Sequence, residues 1–451
     1  MPTQPSSAPA IKIREVDQII DARWIIPIEP DNTVLENHSL VIQGVHILDL
    51  LPTSEAETRY RGKTHWQLTD HVLLPGLINL HTHAAMSLLR GYADDMPLMR
   101  WLQERIWPAE SHHVSADFVR DGTLLACWEM LRGGITCFND MYFFPQAAAE
   151  AALAAGMRAA LGITVFEFPS AYGNSAEDYL SKGLATRDAL LDEPLLSFCL
   201  APHAPYTVAD STFERIATLA DQLDLPIHIH LHETLDEIDS SLREHGVRPL
   251  ERLHRLGLLG PGLIAVHAIH LEMDEIGLLA AHGSHVAHCP TSNMKLASGI
   301  ASIGTLLEHG VGVGLGSDGA ASNNRLDMFQ EMRHAALLGK VACRDAAALP
   351  AHQALKMATL EGARALGMDK QIGSLLPGKA ADCVAVKLDE WDLQPCYDPL
   401  SHLVYVAGRE QVSHVWVAGM LRIRDKMPVN LNTHALLMKT QLWQNALSNQ
   451  C

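Results

Sequence analysis

The sequence predicts an α/β fold: a (β/α)8 TIM-type barrel with a small β-sandwich domain built from both chain ends. Three observations carry this. Eight nearly all-apolar runs recur along the middle of the chain, stretches of helical composition separate them, and short turn-punctuated β segments occupy both ends. At 451 residues the chain is about three times the ~150-residue span of an ordinary domain, which allows several domains or one large barrel with an attachment.

Residues 1–10, MPTQPSSAPA, carry neither a basic segment nor an apolar stretch and are expected to be a flexible leader, not a secretion signal. Residues 11–68 form the first part of the small β domain: IKIREVDQIID, WIIPI, a PDN turn and SLVIQGVHILDLL read as hairpins. The barrel is expected over 69–370. Its strand runs are HVLLPGLINLHTH (71–83), ITCFNDMYF (135–143), MRAALGITVFEF (157–168), LLSFCLAPHAPYT (195–207), LPIHIHLHE (225–233), LIAVHAIHL (263–271), HVAHCPTSN (285–293) and VGVGLGSDG (311–319). Between them lie segments such as VSADFVRDGTLLACWEMLRGG and STFERIATLADQLD, whose apolar residues recur at three and four. Eight strands apolar along their whole length indicate a parallel sheet buried on both faces and closed on itself, with an open doubly wound sheet as the rival. Residues 371–451 return to turn-linked strands (GSLLPGKAADCVAVKLD, HVWVAGMLRIR) and end in a helix within LNTHALLMKTQLWQNALSNQ.

Composition narrows the partners. The chain is 48% hydrophobic and 19% charged, which excludes a disordered or fibrous protein, and nothing resembles the ~18 uninterrupted apolar residues of a membrane span. Lys+Arg 34 against Asp+Glu 52 gives −18, a field that repels nucleic acid and anionic lipid, so a small neutral or cationic ligand is expected. Eight scattered cysteines without a CxxC pair fit a reducing cytoplasm. A homo-oligomer is compatible with the sequence.

The 25 histidines make His-x-His spacing weak by itself, and it occurs three times, at 81/83, 228/230 and 230/232. Position strengthens it. His81 and His83 end an apolar strand two residues apart, so both imidazoles project from one face at the C-terminal mouth, where barrel enzymes keep their chemistry. His203 follows the fourth strand, His230 and Glu233 end the fifth, His267 the sixth and Asp318 the eighth. Packing does not explain imidazoles and carboxylates recurring at strand termini while the interiors stay apolar. Three imidazoles and one carboxylate are the ligand chemistry of a borderline divalent ion, Zn2+ with Fe2+ also suited, and such an ion lowers the pKa of bound water toward about 7.

The motifs PGLINLHTH (75–83), PIHIHLHET (226–234), HCPTSNMKLASG (288–299), GLGSDGAASNN (314–324) and SLLPGKAADCVAV (374–386) resemble the amidohydrolase superfamily. More narrowly they resemble its ATZ/TRZ branch and, within it, the 5'-methylthioadenosine/S-adenosylhomocysteine deaminases. The resemblance covers nearly the whole chain after the leader. It implies that His81 and His83 are the first-strand metal pair, His230 the fifth-strand ligand and Asp318 the eighth-strand carboxylate. Alternation puts His228, His230 and His232 on one face, so spacing does not choose among them; the family's HxxE register with Glu233 selects His230 and leaves His228 and His232 to packing or support. His267 matches the sixth-strand histidine, and His270 is expected in a loop or at a helix start.

What the resemblance implies chemically is hydrolytic deamination of a purine nucleoside with one divalent metal ion. Activated water, oriented by Asp318 and His267, attacks C6 of adenine; Glu233 moves the proton from water to N1, and ammonia leaves. Glu110 resembles the acceptor of a ribose hydroxyl and His203 the residue contacting the purine. One departure bears on the substrate. Where family members that take S-adenosylhomocysteine well offer arginine after the third strand, FPSAYGNSAEDYL (168–180) has none, so adenosine or 5'-methylthioadenosine is expected to be favoured. Tyr172, Tyr179 and MPLMRWL (96–102) are expected around an apolar tail pocket.

Other chemistries lack their signatures. There is no HExxH, no HxE with PCxxC, no GxSxG and no GxxxxGK[ST]. GLGSDG satisfies GxGxxG, but Asp318 would point its charge at a pyrophosphate, and the strand is the eighth. LLSFCLAPHAPYT offers no lysine to bridge two ions, so one metal is expected. The remaining rivals are a triazine chlorohydrolase or aminohydrolase, a guanine-type deaminase, and a non-catalytic scaffold.

Overall fold

The computed structural model describes residues 13–429 and 431–448, so the expected leader over 1–10 lies outside the described residues. Strands β1 (Arg14–Ile25), β2 (Leu35–Gln43) and β3 (His46–Pro52) follow one another antiparallel, and β4 (Tyr60–Pro75) lies parallel to β1. The chain then enters eight parallel strands, β5 (Leu77–Thr82), β6 (Ile135–Asp140), β7 (Arg158–Val165), β8 (Leu196–Pro202), β9 (Ile227–Leu231), β10 (Leu263–His267), β11 (His285–His288) and β12 (Gly312–Leu315), each beside the one before it. Every residue of β5, β6, β7, β9 and β10 is buried, which is why these strands read as continuous apolar runs.

The ring closes. The amide just past β12, on Asp318, donates to the carbonyl of His81 at 3.0 Å, and the amide of Ser317 donates to the side-chain oxygen of Asn79 at 2.9 Å. Gly314 lets β12 come this near β5, since a Cβ there would sit 2.6 Å from Leu80. A doubly wound sheet would leave both edges open, so that rival is discarded.

The first expected run, 71–83, is two strands. Residues 71–75 belong to β4 and pair antiparallel with β13 (Cys383–Lys387), and Gly76 separates them from β5. Residues 71–75 and β5 are all buried, so apolar content does not mark the change of sheet; close packing does, because a Cβ on Gly76 would fall 2.0 Å from the Thr136 hydroxyl. With β14 (Val412–Val417), β15 (Met420–Arg424) and β16 (Met427–Pro428), the two chain ends make one sheet in the order β16-β15-β14-β13-β4-β1-β2-β3. It curls over an apolar filling that includes Ile20, Leu40, Ile42 and Trp416. Gln18 on β1 thereby donates to the carbonyl of Gly419 at 2.6 Å and accepts from the Trp416 indole at 3.3 Å.

This sheet is bolted to the N-terminal end of the barrel. Arg158, the first residue of β7, donates to both oxygens of Asp382 at 3.1 and 3.2 Å, and Asp382 also accepts from the Ala418 amide at 2.7 Å. Helix Ala116–Arg132 starts at Ser115, whose hydroxyl accepts from the Phe118 amide. The terminal helix Thr433–Ser448 packs on it: the Phe118 and Trp443 rings meet edge-on at 5.2 Å and Lys439 reaches Asp121 at 2.7 Å. Among the described residues no helix is long and apolar enough to cross a membrane.

Candidate active site

The C-terminal strand ends open into a cavity of about 740 Å3 lined by His83, His203, His230, Glu233, His267 and Asp318 at its base and by Glu110 toward its roof. Three of the residues expected at these strand ends turn through left-handed backbone, His232 at φ 54°, His267 at 69° and Asp318 at 60°, a conformation that costs non-glycine residues about 1–3 kcal/mol each and concentrates where function fixes it.

His81, His83 and Asp318 form one cluster and His81, His230 and His267 another, each with its donor atoms within 4.8 Å of one another. The four residues expected as ligands therefore fall in two groups joined at His81, and His267 stands in the second. Nε2 of His81 and of His83 lie 3.2 and 3.3 Å from Asp318 Oδ1. The opposite ring nitrogens of His83 and His230 contact backbone carbonyls, Met141 at 2.6 Å and His203 at 2.8 Å, which fixes each ring with Nε2 turned to the cavity. Burial lowers the His81 imidazole to about 4 and that of His230 well below its ordinary value, keeping both neutral. Burial works against ionising Asp318, but the His81 hydrogen bond and the surrounding imidazoles outweigh it and hold the carboxyl well below the usual range.

The outer oxygen of Asp318 accepts from two hydroxyls, Ser292 at 2.7 Å and Ser322 at 2.6 Å. Neither serine is singled out by spacing, although both lie inside the motifs 288–299 and 314–324. The short helices that carry them, Pro290–Lys295 and Ala320–Asn323, are tied together by Glu331 on helix Met328–Cys343, which accepts from the Thr291 amide at 3.1 Å and the Asn323 side chain at 2.8 Å. Glu233 is buried beside His267, Oε2 to Nε2 3.9 Å, and burial raises its carboxyl. His267 Nδ1 contacts Asn293 Oδ1 at 2.8 Å. Glu237 accepts from the amides of His232 and Glu233, both at 2.9 Å, fixing the turn that presents Glu233.

The histidine trio separates. His228 Nε2 lies 3.0 Å from His81 Nδ1, beneath the cluster. Alternation does not hold His232 on the same face, because β9 ends at Leu231 and the left-handed turn sends its ring away to the carbonyl of His270 and the amide of Leu250. His270 lies in a loop, bonded to the Ser298 carbonyl at 2.8 Å. His203 lines the cavity, stacked on Phe166 with centroids 4.6 Å apart, and burial lowers it to about 3. Glu110 accepts a 2.6 Å hydrogen bond from Tyr142, a residue the sequence gives no reason to select.

The apolar wall differs in part from the expectation. Leu98, Trp101 and Leu102 of the 96–102 stretch line the cavity, with Ile106, Trp107 and Phe168. Tyr172 and Tyr179 do not: Tyr179 is fully buried behind the wall, its hydroxyl donating to the Phe168 carbonyl at 3.0 Å, and Tyr172 faces the helices outside the barrel. No lysine or arginine lines the cavity among the described residues.

A profile of the Amidohydrolase family matches residues 72–422. A 5-methylthioadenosine/S-adenosylhomocysteine deaminase of Teredinibacter turnerae is 48% identical over 432 residues, 96% of this chain and 98% of its own. A 5'-deoxyadenosine deaminase of Methanothermobacter thermautotrophicus is 41% identical over 412 residues, 87% of this chain and 94% of its own. Among solved structures, an adenosine deaminase from Xanthomonas campestris with bound zinc superposes with a TM-score of 0.96 at 45% identity, covering 97% of this chain and 100% of that one. The atrazine chlorohydrolase TrzN of Arthrobacter aurescens, at 24% identity and a TM-score of 0.87 over 95% of this chain and 100% of its own, shares the fold. With a profile spanning most of its length and near-complete relatives of high identity, this chain belongs to the amidohydrolase family.

Proposed function

We propose that the protein is a metal-dependent deaminase of adenine nucleosides, 5'-methylthioadenosine and adenosine above all, releasing ammonia and leaving the inosine analogue. One observation carries this: four imidazoles, those of His81 and His230 held neutral by burial, and an ionised carboxylate converge beside the buried Glu233 at the base of a single cavity whose outer wall is apolar and holds Glu110. The relatives named as deaminases of such nucleosides support it. The barrel, which starts at β5 (Leu77–Thr82) and not at the expected residue 69, is the catalytic unit, and the cytoplasm is its compartment.

The donors suit a divalent cation. His83 and His230 have one nitrogen engaged by a carbonyl and the other turned inward, and Asp318 is ionised beside them. His81, His83, His230 and Asp318 are the proposed ligands, and the zinc in the Xanthomonas structure favours zinc over iron. A cation held there lowers the pKa of water toward about 7 and so supplies the nucleophile at neutral pH.

The side chains do the remaining work. His267, fixed through Nδ1 by Asn293, and Asp318 aim the attacking water at C6 of the purine. Glu233 takes the water proton and delivers it to N1, a task helped by burial that raises its proton affinity. The new C–O bond forms at C6, Glu233 passes the proton remaining on that oxygen to the exocyclic nitrogen, the C–N bond breaks, and ammonia leaves with C6 as a carbonyl. His203, neutral on Phe166, meets the purine, and Glu110 accepts from a ribose hydroxyl. The described residues of the cavity wall include no lysine or arginine to meet the carboxylate of S-adenosylhomocysteine, which favours the two smaller nucleosides.

An ammonia-release screen of the zinc-loaded protein with adenosine, 5'-methylthioadenosine, S-adenosylhomocysteine, guanine and a chlorotriazine tests the reading. Turnover of the first two is expected. Turnover of only the last two overturns the substrate, and a folded, metal-replete preparation that holds no divalent ion and turns over none of them overturns the enzyme.

A further inference from the structure

Glu110 and Tyr142 reach the cavity from different layers. Glu110 lies on the short helix Trp107–His113, in the segment after β5 that roofs the cavity with Leu98, Trp101 and Ile106. Tyr142 stands two residues past the end of β6, on the rim of the barrel. The rim fixes it: its carbonyl accepts from the Thr164 hydroxyl at 3.0 Å, and its ring packs against Phe143 and His83 with centroids at 5.4 and 6.4 Å.

The Tyr142 hydroxyl donates to Glu110 Oε1 at 2.6 Å, the length of a hydrogen bond to a charged oxygen. Burial drives the Glu110 carboxyl toward its neutral form, and the groups that oppose this are Tyr142 and His83, with no lysine or arginine among the described residues of the cavity wall. Tyr142 remains a donor throughout, because burial and the carboxylate push its ionisation far up. One oxygen of Glu110 is thus committed to the rim, and the other is left for a ligand that can donate.

We infer that Tyr142 is a positioning residue for substrate choice: by tying Glu110 of the roof to the barrel rim, it aims the second carboxylate oxygen at a sugar hydroxyl and makes the site demand a hydroxylated ribosyl group. The inference rests on the nucleoside reading above and goes beyond it in assigning the source of the sugar requirement.

Steady-state constants for adenosine, 2'-deoxyadenosine and 3'-deoxyadenosine, measured on the wild type, Glu110→Gln and Tyr142→Phe, test it. The wild type should prefer adenosine over at least one deoxy substrate, and Glu110→Gln should erase that preference. Tyr142→Phe should raise KM for adenosine about tenfold, the value of one lost charge-assisted hydrogen bond, with kcat within about threefold and the deoxy substrate barely affected. A rise in KM common to all three substrates would mean only a loosened roof and would overturn the inference. So would Tyr142→Phe keeping the wild-type preference while Glu110→Gln loses it, which leaves Glu110 in its role. Preference retained in Glu110→Gln removes Glu110 and Tyr142 together, and a wild type that releases ammonia from none of the three removes the nucleoside reading and the inference with it.

Discussion

At the floor of the barrel one buried cation meets one buried anion: Arg158 and Asp382 are almost fully enclosed, and Asp382 has a further donor in the Ala418 amide. At the mouth, a few strand residues higher, imidazoles crowd together with Asp318 and Glu233, the backbone at His267 and Asp318 is left-handed, and among the described residues no lysine or arginine lines the cavity. The floor is compensated and joins two sheets; the mouth is uncompensated and costs stability. Barrel folds permit this division because the packed strand interiors between the ends bear the hydrophobic load. Substitutions at the two ends should therefore fail in opposite ways.

The largest contrast is expected at Glu233. Replacement by glutamine keeps the shape but removes the proton carrier, so kcat should fall about 10³-fold, within the range general acid–base catalysis contributes. The melting temperature should hold or rise, since burial disfavours the native carboxylate. An equal loss of stability would place Glu233 in the scaffold. Metal removal is the companion test: chelation should abolish turnover and lower the melting temperature, and added zinc should restore both, by mass action on the folded state.

Asp382→Ala should do the reverse. It strands the Arg158 guanidinium in a buried position, a loss of about 3–5 kcal/mol in stability, while kcat/KM of the folded protein at low temperature stays within about threefold. The double variant Arg158→Met/Asp382→Leu should recover much of that loss, as removing both charges usually does. Activity falling in parallel with a mouth substitution would show that the two ends are coupled.

The same division explains what the sequence made legible. Strand number and order could be read because each strand is buried on both faces and therefore apolar throughout, as β7 and β9 are. The polar strand ends could be read because they break that pattern, as His81, Glu233 and Asp318 do. The boundary at Gly76 could not, because β4 and β5 are equally apolar on both sides of it. The fate of His232 could not either, since a left-handed turn after Leu231 overrides alternation. The partners that fix the site, Ser292 and Asn293 on the short helix Pro290–Lys295, Ser322 on Ala320–Asn323 and Tyr142 past the end of β6, act through single hydrogen bonds, which leave no periodicity in a sequence.

The smallest expected effect tests whether the mouth's cost depends on pH. Glu331, fully buried, braces the short helices that carry Ser292 and Ser322, and burial pushes its carboxyl up to about 8, with Asp327 adding repulsion. In the unfolded chain a glutamate titrates near about 4.3. Between these values the unfolded chain has released the proton and the folded one keeps it, so folding binds a proton. The stability from this group is complete below the unfolded value and is lost as pH rises through about 8. Glu331→Gln resembles the protonated acid at every pH, so its melting temperature should decline less than that of the wild type between pH 6 and 9, by about 2 °C at the upper end. Calorimetric melts across that range check it, and wild-type and variant profiles that run parallel would mean that Glu331 is already ionised in the folded protein and that the strain at the mouth is independent of pH.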